Sequence, residues 1–301
     1  MRRLVIILLL LTVTAAAVRF RETLRIVALV ALGRSEVCSL ADALAAPDHL
    51  TRQIAEKDRI LAASRKLETD PAGFERWSTP GGEYWIPTGS HYVLPFNLAE
   101  QSRDIYSVPE VHVQTGDVVL DCGANVGVFT RKALQAGASK VVAIEPAPEN
   151  VECLRRNFKE EIARGRVVVY PKGVWDKDDT LTFHVDPHNS AADSFVIRRE
   201  GGHELKQLPL TTIDKLVREL ALDTVNFIKM DIEGAEVRAI NGGRETIRRF
   251  RPRLALSAYH TPTDAVEVPN AVRRAFAGYR MRCGPCAVEP YRVRPDILFF
   301  Y

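Results

Sequence analysis

The chain has 301 residues, 46% of them hydrophobic and 26% charged, and its 41 Lys+Arg against 38 Asp+Glu leave a net charge of +3. This is an ordinary globular composition, with room for one large domain plus an appendage. So small a positive excess, scattered over many arginines, excludes nucleic-acid binding as an organising feature. The five cysteines are an odd number, with Cys122 inside a glycine turn and Cys153 in a predicted helix. That argues against a disulfide framework and for a reducing compartment.

At the N-terminus, Met1-Arg2-Arg3 precedes fifteen uncharged, mostly apolar residues, Leu4–Val18, then Arg19, Arg21 and Arg25 and a second apolar run, Ile26–Leu32. Fifteen helical residues rise about 22 Å, short of the roughly 30 Å hydrocarbon core. The run reads as a signal peptide, with Ala15-Ala16-Ala17 as its small-residue site, or as a short anchor followed by an interfacial helix. The arginines after the run argue against cleavage, and their bias puts the rest of the chain on the cytoplasmic side of a membrane. Residues 1–33 are thus read as a membrane anchor or signal-like segment, 34–80 as a helical linker broken at Pro47, and 81–301 as the main domain. Gly81–Asn97, rich in aromatic and turn residues, predicts a β-hairpin on the domain edge. A short helix over Leu98–Tyr106 follows.

The main domain is organised around residues 116–146. Val118–Leu120 is a short apolar run of the kind a buried parallel strand shows, and it ends at Asp121. The turn Gly123-Ala-Asn125-Val-Gly127 leads into a helical stretch, Val128–Gln135, and a second strand, Val141–Ile144, ends in Glu145-Pro146. Strand, glycine turn, helix, strand and acid make the nucleotide-binding half of a Rossmann-like sheet. Glycines at 123 and 127 let backbone N–H groups approach a ligand, and Glu145 stands where it can accept hydrogen bonds from both ribose hydroxyls. G-x-G-x-x-G is absent because Asn125 replaces the middle glycine. The loosened pattern and strand-end acids favour S-adenosylmethionine over NAD as the cofactor.

Further along, Pro148–Phe158 predicts a helix and Val167–Tyr170 the third strand, with Gly173–Asp176 as a turn. Leu181–Val185 and Leu205–Leu210 predict an added antiparallel pair, joined by a polar loop, His188–Ser194; the histidines of this insertion read by default as surface residues, with a lid over the acceptor site as the alternative. Thr212 caps a helix over Ile213–Leu220. Val225–Met230 is the fourth strand, followed by Asp231-Ile-Glu233-Gly-Ala-Glu236 and a helix over Ala235–Phe250. Pro252–Ala258, ending in Tyr259-His260, is the fifth. A helix over Val268–Ala277 and closing strands at Tyr279–Cys283 and Ile297–Tyr301 complete the pattern. Strands alternating with helices predict an α/β fold with a doubly wound, mostly parallel sheet.

Ligands of such sheets bind beyond the carboxyl ends of the strands. Asp121, Glu145, Asp176, Asp231 and His260 all fall at or just after such ends. Asp121, Gly123, Asn125, Gly127, Glu145 and Asp176 are therefore the candidate cofactor residues, Asp176 toward an adenine amino group. His260 is the candidate general base, with Asp231 as its partner, because an unperturbed imidazole titrates near neutrality. Glu233 and Glu236 sit at a helix start, where acids are favoured anyway. Three nearby acids raise a divalent-metal reading, but no further ligand is recognisable and no metal is assigned. Cys283-Gly-Pro-Cys286 has the spacing of a redox pair without the helix that should open at its first cysteine, and reads as a turn with two incidental thiols.

Several stretches resemble the FkbM family of S-adenosylmethionine-dependent methyltransferases. They are Val119-Leu-Asp-Cys-Gly-Ala-Asn-Val-Gly127, Ile144-Glu-Pro146 with Glu149-Asn150, Arg156-Asn157, Thr212-Ile-Asp214, Tyr259-His260 and, most specifically, Ile228-Lys-Met-Asp-Ile-Glu-Gly-Ala-Glu236. The resemblance covers about residues 81–301. It implies a class I methyltransferase domain, usually an O-methyltransferase on sugars or secondary metabolites, with a small-molecule or glycan acceptor. The alternatives are a catalytically silent cofactor-fold interaction module and an NAD-dependent enzyme.

Overall fold

The structure is a computed structural model that describes residues 20–185, 194–197 and 203–301. The run Leu4–Val18 lies outside the described residues, as does the polar loop up to residue 193. Among the described residues no helix is long and apolar enough to cross a membrane.

Helix α1 covers residues 20–31, and α2 runs Leu40–Ala62 straight through Pro47. The break expected there does not occur. Pro47 lies in the second turn, and the Ser39–Asp42 capping box has already fixed the helix start. Strands β1 (Arg65–Asp70), β2 (Phe74–Thr79) and β3 (Gly82–Pro87) form an antiparallel meander. The helical linker expected over 34–80 therefore gives way to strand after Ala62, and the expected hairpin is the meander's last strand followed by helix α3 (Val93–Ser102).

Next come β4 (Val118–Cys122), α4 (Val128–Gln135), β5 (Lys140–Ile144), α5 (Pro148–Asn157), α6 (Lys159–Ala163) and β6 (Val167–Tyr170). A small sheet follows, of β7 (Gly173–Val174), β8 (Asp179–Val185) and β9 (His203–Thr211), containing the expected antiparallel pair. The chain continues through α7 (Ile213–Glu219), β10 (Phe227–Met230), α8 (Glu236–Asn241), α9 (Arg244–Phe250), β11 (Arg253–Ser257) and α10 (Asp264–Ala275). It ends in β12 (Met281–Cys283), the hairpin β13 (Cys286–Val288) and β14 (Val293–Pro295), and β15 (Ile297–Phe300). The helix expected over 235–250 is two, divided at Gly242-Gly243. Gly242 passes so close to the Trp175 carbonyl that an added Cβ would lie 2.0 Å from its oxygen.

The central sheet has seven strands in the order β12-β15-β11-β10-β4-β5-β6. Strands β6, β5, β4, β10 and β11 are parallel, and β15 runs antiparallel beside β11. Alternate side chains enter separate cores. Leu120, Val142, Ile228 and Leu254 face one side, and Val119, Val141, Phe227 and Ala255 face the other. Strand order reverses between β4 and β10, so the loops after these strands diverge and leave a crevice.

The meander is bound to the sheet's glycine turn through α5. Asn157 accepts from the Trp85 backbone N–H (2.6 Å) and donates to the carbonyls of Trp85 (3.0 Å) and Val126 (2.9 Å). On the other side of the molecule, Cys38 at the α1–α2 junction is disulfide-bonded to Cys286, 248 residues later. This corrects the expectation of unpaired cysteines, since no spacing rule can see a pairing that only the tertiary fold creates. It is also a bond of the kind that persists in oxidising compartments. Cys122, Cys153 and Cys283 are free, and the Cys283 sulfur lies 3.5 Å from each sulfur of the bridge.

Candidate active site

The crevice at the strand-order reversal is a cavity with two chemically different ends. At the first end, β4 runs into the glycine turn. The amides of Gly123 and Ala124 both donate to the Ile144 carbonyl (3.0 Å each), which brings the turn against the end of β5. Gly123 has φ +79°, and an added Cβ would lie 1.9 Å from the Asp231 carbonyl oxygen. Only glycine permits that approach. Gly127 has φ +92° and would drive a Cβ to 2.2 Å from the Phe158 ring. Its requirement is packing, and it does not line the cavity.

Asn125, at φ +50°, lines the cavity and donates its backbone N–H to Glu145 Oε2 (2.9 Å). Glu145 Oε1 accepts from the Ala147 N–H (2.9 Å) and faces Asn150 Nδ2 at 3.5 Å. Burial raises the Glu145 pKa above the usual glutamate value, while the two backbone donors pull the other way. The carboxylate is thus fixed in orientation at the cavity wall, with lone pairs left over. Held on both sides in this way, it suits a pair of ribose hydroxyls. With the glycine turn beside it on the cavity wall, this carboxylate fits an adenosyl cofactor.

Besides Gly127, the structure moves two more of the predicted cofactor residues away from this role. Asp121 is fully buried beneath the turn and does not line the cavity. β4 and β10 pair Asp121 directly with Lys229, so the carboxylate spends its contacts on Lys229 Nζ (3.3 Å) and Thr130 Oγ1 (2.7 Å). Asp176 is also off the cavity. It lies two residues past β7 and pairs with Arg238 Nη1 at 2.7 Å on the outer surface, while Lys172, Gly173 and Val174 take the lining positions.

At the other end, Lys229, Asp231 and Glu233 line the wall. Lys229 donates to the Gly123 carbonyl (2.8 Å). Burial alone would lower its pKa, but Asp121 and Asp231 raise it and keep the ammonium charged. Asp231 Oδ2 accepts from the Tyr106 hydroxyl (2.8 Å), and Oδ1 lies 3.3 Å from His260 Nε2. Burial works to raise the Asp231 pKa, yet the His260 contact and the Lys229 charge outweigh it and hold the carboxyl well below the usual range.

His260 does come to Asp231, as predicted, but not as a base. Its side chain is 3% exposed and absent from the cavity wall. Nδ1 lies 3.0 Å from Glu236 Oε1, and Nε2 faces both Asp231 and Glu233 Oε1, the latter at 3.5 Å. Burial would lower its pKa, but the three carboxylates, Glu236 foremost, raise it well above 6.5. An imidazolium enclosed by carboxylates has no lone pair to offer. His260 holds Asp231 and Glu233 in place, and the base reading is corrected.

Two groups among the described residues bring three potential metal-ligand atoms within 4.8 Å of one another. In Asp231–Glu236–His260, Glu236 is already committed: it accepts from the amides of Ile232 (2.9 Å) and Gly234 (3.0 Å) and meets His260. In Cys38–Cys283–Cys286, two sulfurs are joined in the disulfide.

Sequence reasoning missed Tyr106 and Glu100. Both line the cavity from the segment before β4, and Glu100 accepts from Gln53 Nε2 at 3.3 Å. Burial, reinforced by the nearby Asp231 charge, pushes the Glu100 pKa up to about 8. On α3 Glu100 shares a face with Phe96 and Asn97, while Leu98 points the other way, so helix patterning gave no signal for it.

The Methyltransferase FkbM domain matches residues 121–281, more than half of the chain. Among curated proteins, the hexuronic acid methyltransferase AglP of Haloferax volcanii is 25% identical over 173 residues, covering 58% of this chain and 68% of AglP. The 31-O-demethyl-FK506 methyltransferase FkbM of Streptomyces tacrolimicus is 32% identical over 162 residues, covering 44% of this chain and 61% of that one. The chain spans from 9% to 68% of the length of the curated relatives it matches. Among solved structures, methyltransferase FkbM from Methylobacillus flagellatus KT aligns with a TM-score of 0.46 at 19% identity, covering 85% of this chain and 60% of that one. With more than half its length matched by that domain, the chain belongs to the FkbM family of methyltransferases.

Proposed function

We propose that the protein is an S-adenosylmethionine-dependent O-methyltransferase acting on a hydroxyl of a sugar or secondary metabolite. The observation that carries this reading is the two-ended cavity. A carboxylate fixed by backbone amides beside the Gly123 turn stands at one end, and Asp231, Glu100 and Tyr106 at the other. The names of AglP and FkbM, a hexuronic acid methyltransferase and an O-demethyl-FK506 methyltransferase, support a hydroxylated acceptor.

Bound at the glycine turn, the cofactor supplies an electrophilic methyl group. The protein contributes orientation, water exclusion and a base. Glu145 holds the adenosyl ribose. Asp231, kept ionised by His260 and Lys229, orients the acceptor. Glu100 takes the hydroxyl proton, since a group titrating near working pH is the effective base.

Isothermal titration with S-adenosylhomocysteine tests the cofactor half. Mass spectrometry of envelope glycans and metabolites with and without the protein, reading a difference of one CH₂, tests the acceptor half. Glu100→Gln should bind cofactor normally yet lose roughly 10²–10⁴-fold in turnover. The wild-type rate should rise with pH through about 8. Normal turnover in that variant places the base elsewhere.

Membrane association is part of the same proposal. Helix α1 leaves Phe20 53% and Leu24 61% exposed on one face, directly after the apolar run Leu4–Val18. An apolar face with Arg21 and Arg25 on the same helix suits an interfacial helix. Sedimentation with membranes of the full chain, against one carrying Phe20→Asp and Leu24→Asp, tests it.

A further inference from the structure

A second cavity, of about 550 Å³, lies between helices α1 and α2 on one side and the β13–β14 hairpin on the other, with Tyr106, Tyr259 and Ile297 along its floor. That volume is in the range of small-molecule sites, about 300–1,000 Å³. It adjoins the first cavity at Glu100 and Tyr106, which line both. Its two walls are fastened to each other by the Cys38–Cys286 bridge, and Cys286 itself lines the space.

The charges on its wall are not equivalent. Arg294 is paired with Glu289 and Asp296, and Arg25 with Glu22. Arg103 makes no ion pair among the described residues. It donates only to the His49 carbonyl (2.8 Å) and to His49 Nδ1 (2.9 Å). Arginine has no acceptor, so Nδ1 of His49 must carry the lone pair and Nε2 the hydrogen. Burial and the Arg103 charge lower the His49 pKa, consistent with a neutral ring. The wall therefore offers one guanidinium with no carboxylate in ion-pair contact, Asp296 and Glu56 acting on it only from farther away, beside neutral donors in a space bordered by Glu100.

We infer that this cleft is the acceptor site and that it takes a polyhydroxylated molecule carrying a single carboxylate, which Arg103 binds while a hydroxyl reaches the shared wall at Glu100 and Tyr106. One planar guanidinium matches one carboxylate in charge and geometry. That shared wall brings the hydroxyl toward Asp231, since the Tyr106 hydroxyl already touches that carboxylate. The cleft is built mainly by segments outside residues 121–281, which gives the N-terminal helices and the hairpin a role that the family domain does not contain. The inference rests on the methyltransferase reading only for the use made of the bound molecule.

The test is ligand-observed saturation-transfer NMR on the full chain with D-glucuronate and D-glucose as probes at equal concentration. Each protein is titrated in parallel with S-adenosylhomocysteine. Glucuronate should bind and glucose should bind at least about tenfold more weakly. Arg103→Gln should lose the preference while keeping its affinity for S-adenosylhomocysteine. Thr51→Trp, an exposed position on the cleft wall, should block both sugars without touching Arg103, so a misfolded Arg103 variant does not stall the test. Equal binding of the two sugars, no glucuronate binding by the wild type, or unchanged preference in Arg103→Gln with unhindered binding in Thr51→Trp overturns the inference. Arg103-dependent glucuronate binding in a protein that ignores S-adenosylhomocysteine would leave the cleft standing and remove the cofactor reading.

Discussion

The two ends of the cavity are built on different principles. At the glycine-turn end, the contacts to Glu145 come from the loops after the adjacent strands β4 and β5, mostly from backbone amides of Asn125 and Ala147. At the Asp231 end, the contacts come from side chains of four separate segments: Tyr106 before β4, Lys229 on β10, Glu236 on α8 and His260 after β11. Backbone groups are present whatever the side chain, so the first end tolerates change except where a Cβ intrudes. The second is an alternation of charges in which each member sets the state of the next. Removing one changes the protonation of the others.

The largest expected effect breaks the first end sterically. Gly123→Ala places a methyl 1.9 Å from the Asp231 carbonyl at φ +79°. The two loops must separate or the turn must refold, at a cost of about 3 kcal/mol or more. Chemical denaturation measures it; a loss under about 1 kcal/mol would show that the loops move apart freely.

Next is the bridge between the N-terminal helices and the hairpin, which neither end of the cavity uses directly. Cys38→Ser should cost about 2–5 kcal/mol, because a cross-link over so long a stretch restricts the unfolded chain strongly. Intact mass under non-reducing conditions should show one disulfide, and alkylation should find three free thiols. Five alkylated thiols in the native protein would remove the bridge from the description.

Glu145→Ala sharpens the chemistry of the first end. It removes charge-assisted hydrogen bonds to ribose hydroxyls, each worth about 1.5–3 kcal/mol, so cofactor affinity should fall at least about tenfold. Because burial raises the Glu145 pKa, the acceptor form is lost at higher pH than for an ordinary glutamate. Wild-type affinity should therefore weaken as pH falls toward the carboxylate range, and the alanine variant should lack that dependence.

For the second end, His260→Gln separates an orienting imidazolium from a base. The folded pKa of His260 is raised well above its unfolded value of 6.5. Its ion pairs therefore contribute fully below about pH 6.5 and are lost as pH rises through the folded value. The stability gap between wild type and variant should be widest on the acid side and narrow in alkali. The wild-type rate should show no arm near 6.5, and one there would restore His260 as the base. The smallest effect belongs to the exposed Asp176–Arg238 pair. Asp176→Ala should change stability by less than about 1 kcal/mol and leave cofactor affinity unaltered.

Where local patterning sets the structure, the sequence was enough. The parallel strands are continuous apolar runs because both their faces are buried, and the glycine turn, the strand-end Glu145 and the Thr212 cap on α7 all follow from neighbours a few residues apart. That Asp231 and His260 meet was also legible, since adjacent parallel strands end side by side. Their protonation was not, because it depends on Glu236 at one ring nitrogen and on Glu233 and Asp231 at the other. Nor could spacing show that register turns Asp121 inward onto Lys229, that Asp176 lies outside the cavity, or that Glu100 lines two adjoining cavities. Cys38 and Cys286 meet only after the whole sheet has formed between them. Periodicity and turn chemistry are short-range and survive in one dimension. Burial, electrostatic neighbours and long-range pairing exist only once the chain has closed on itself.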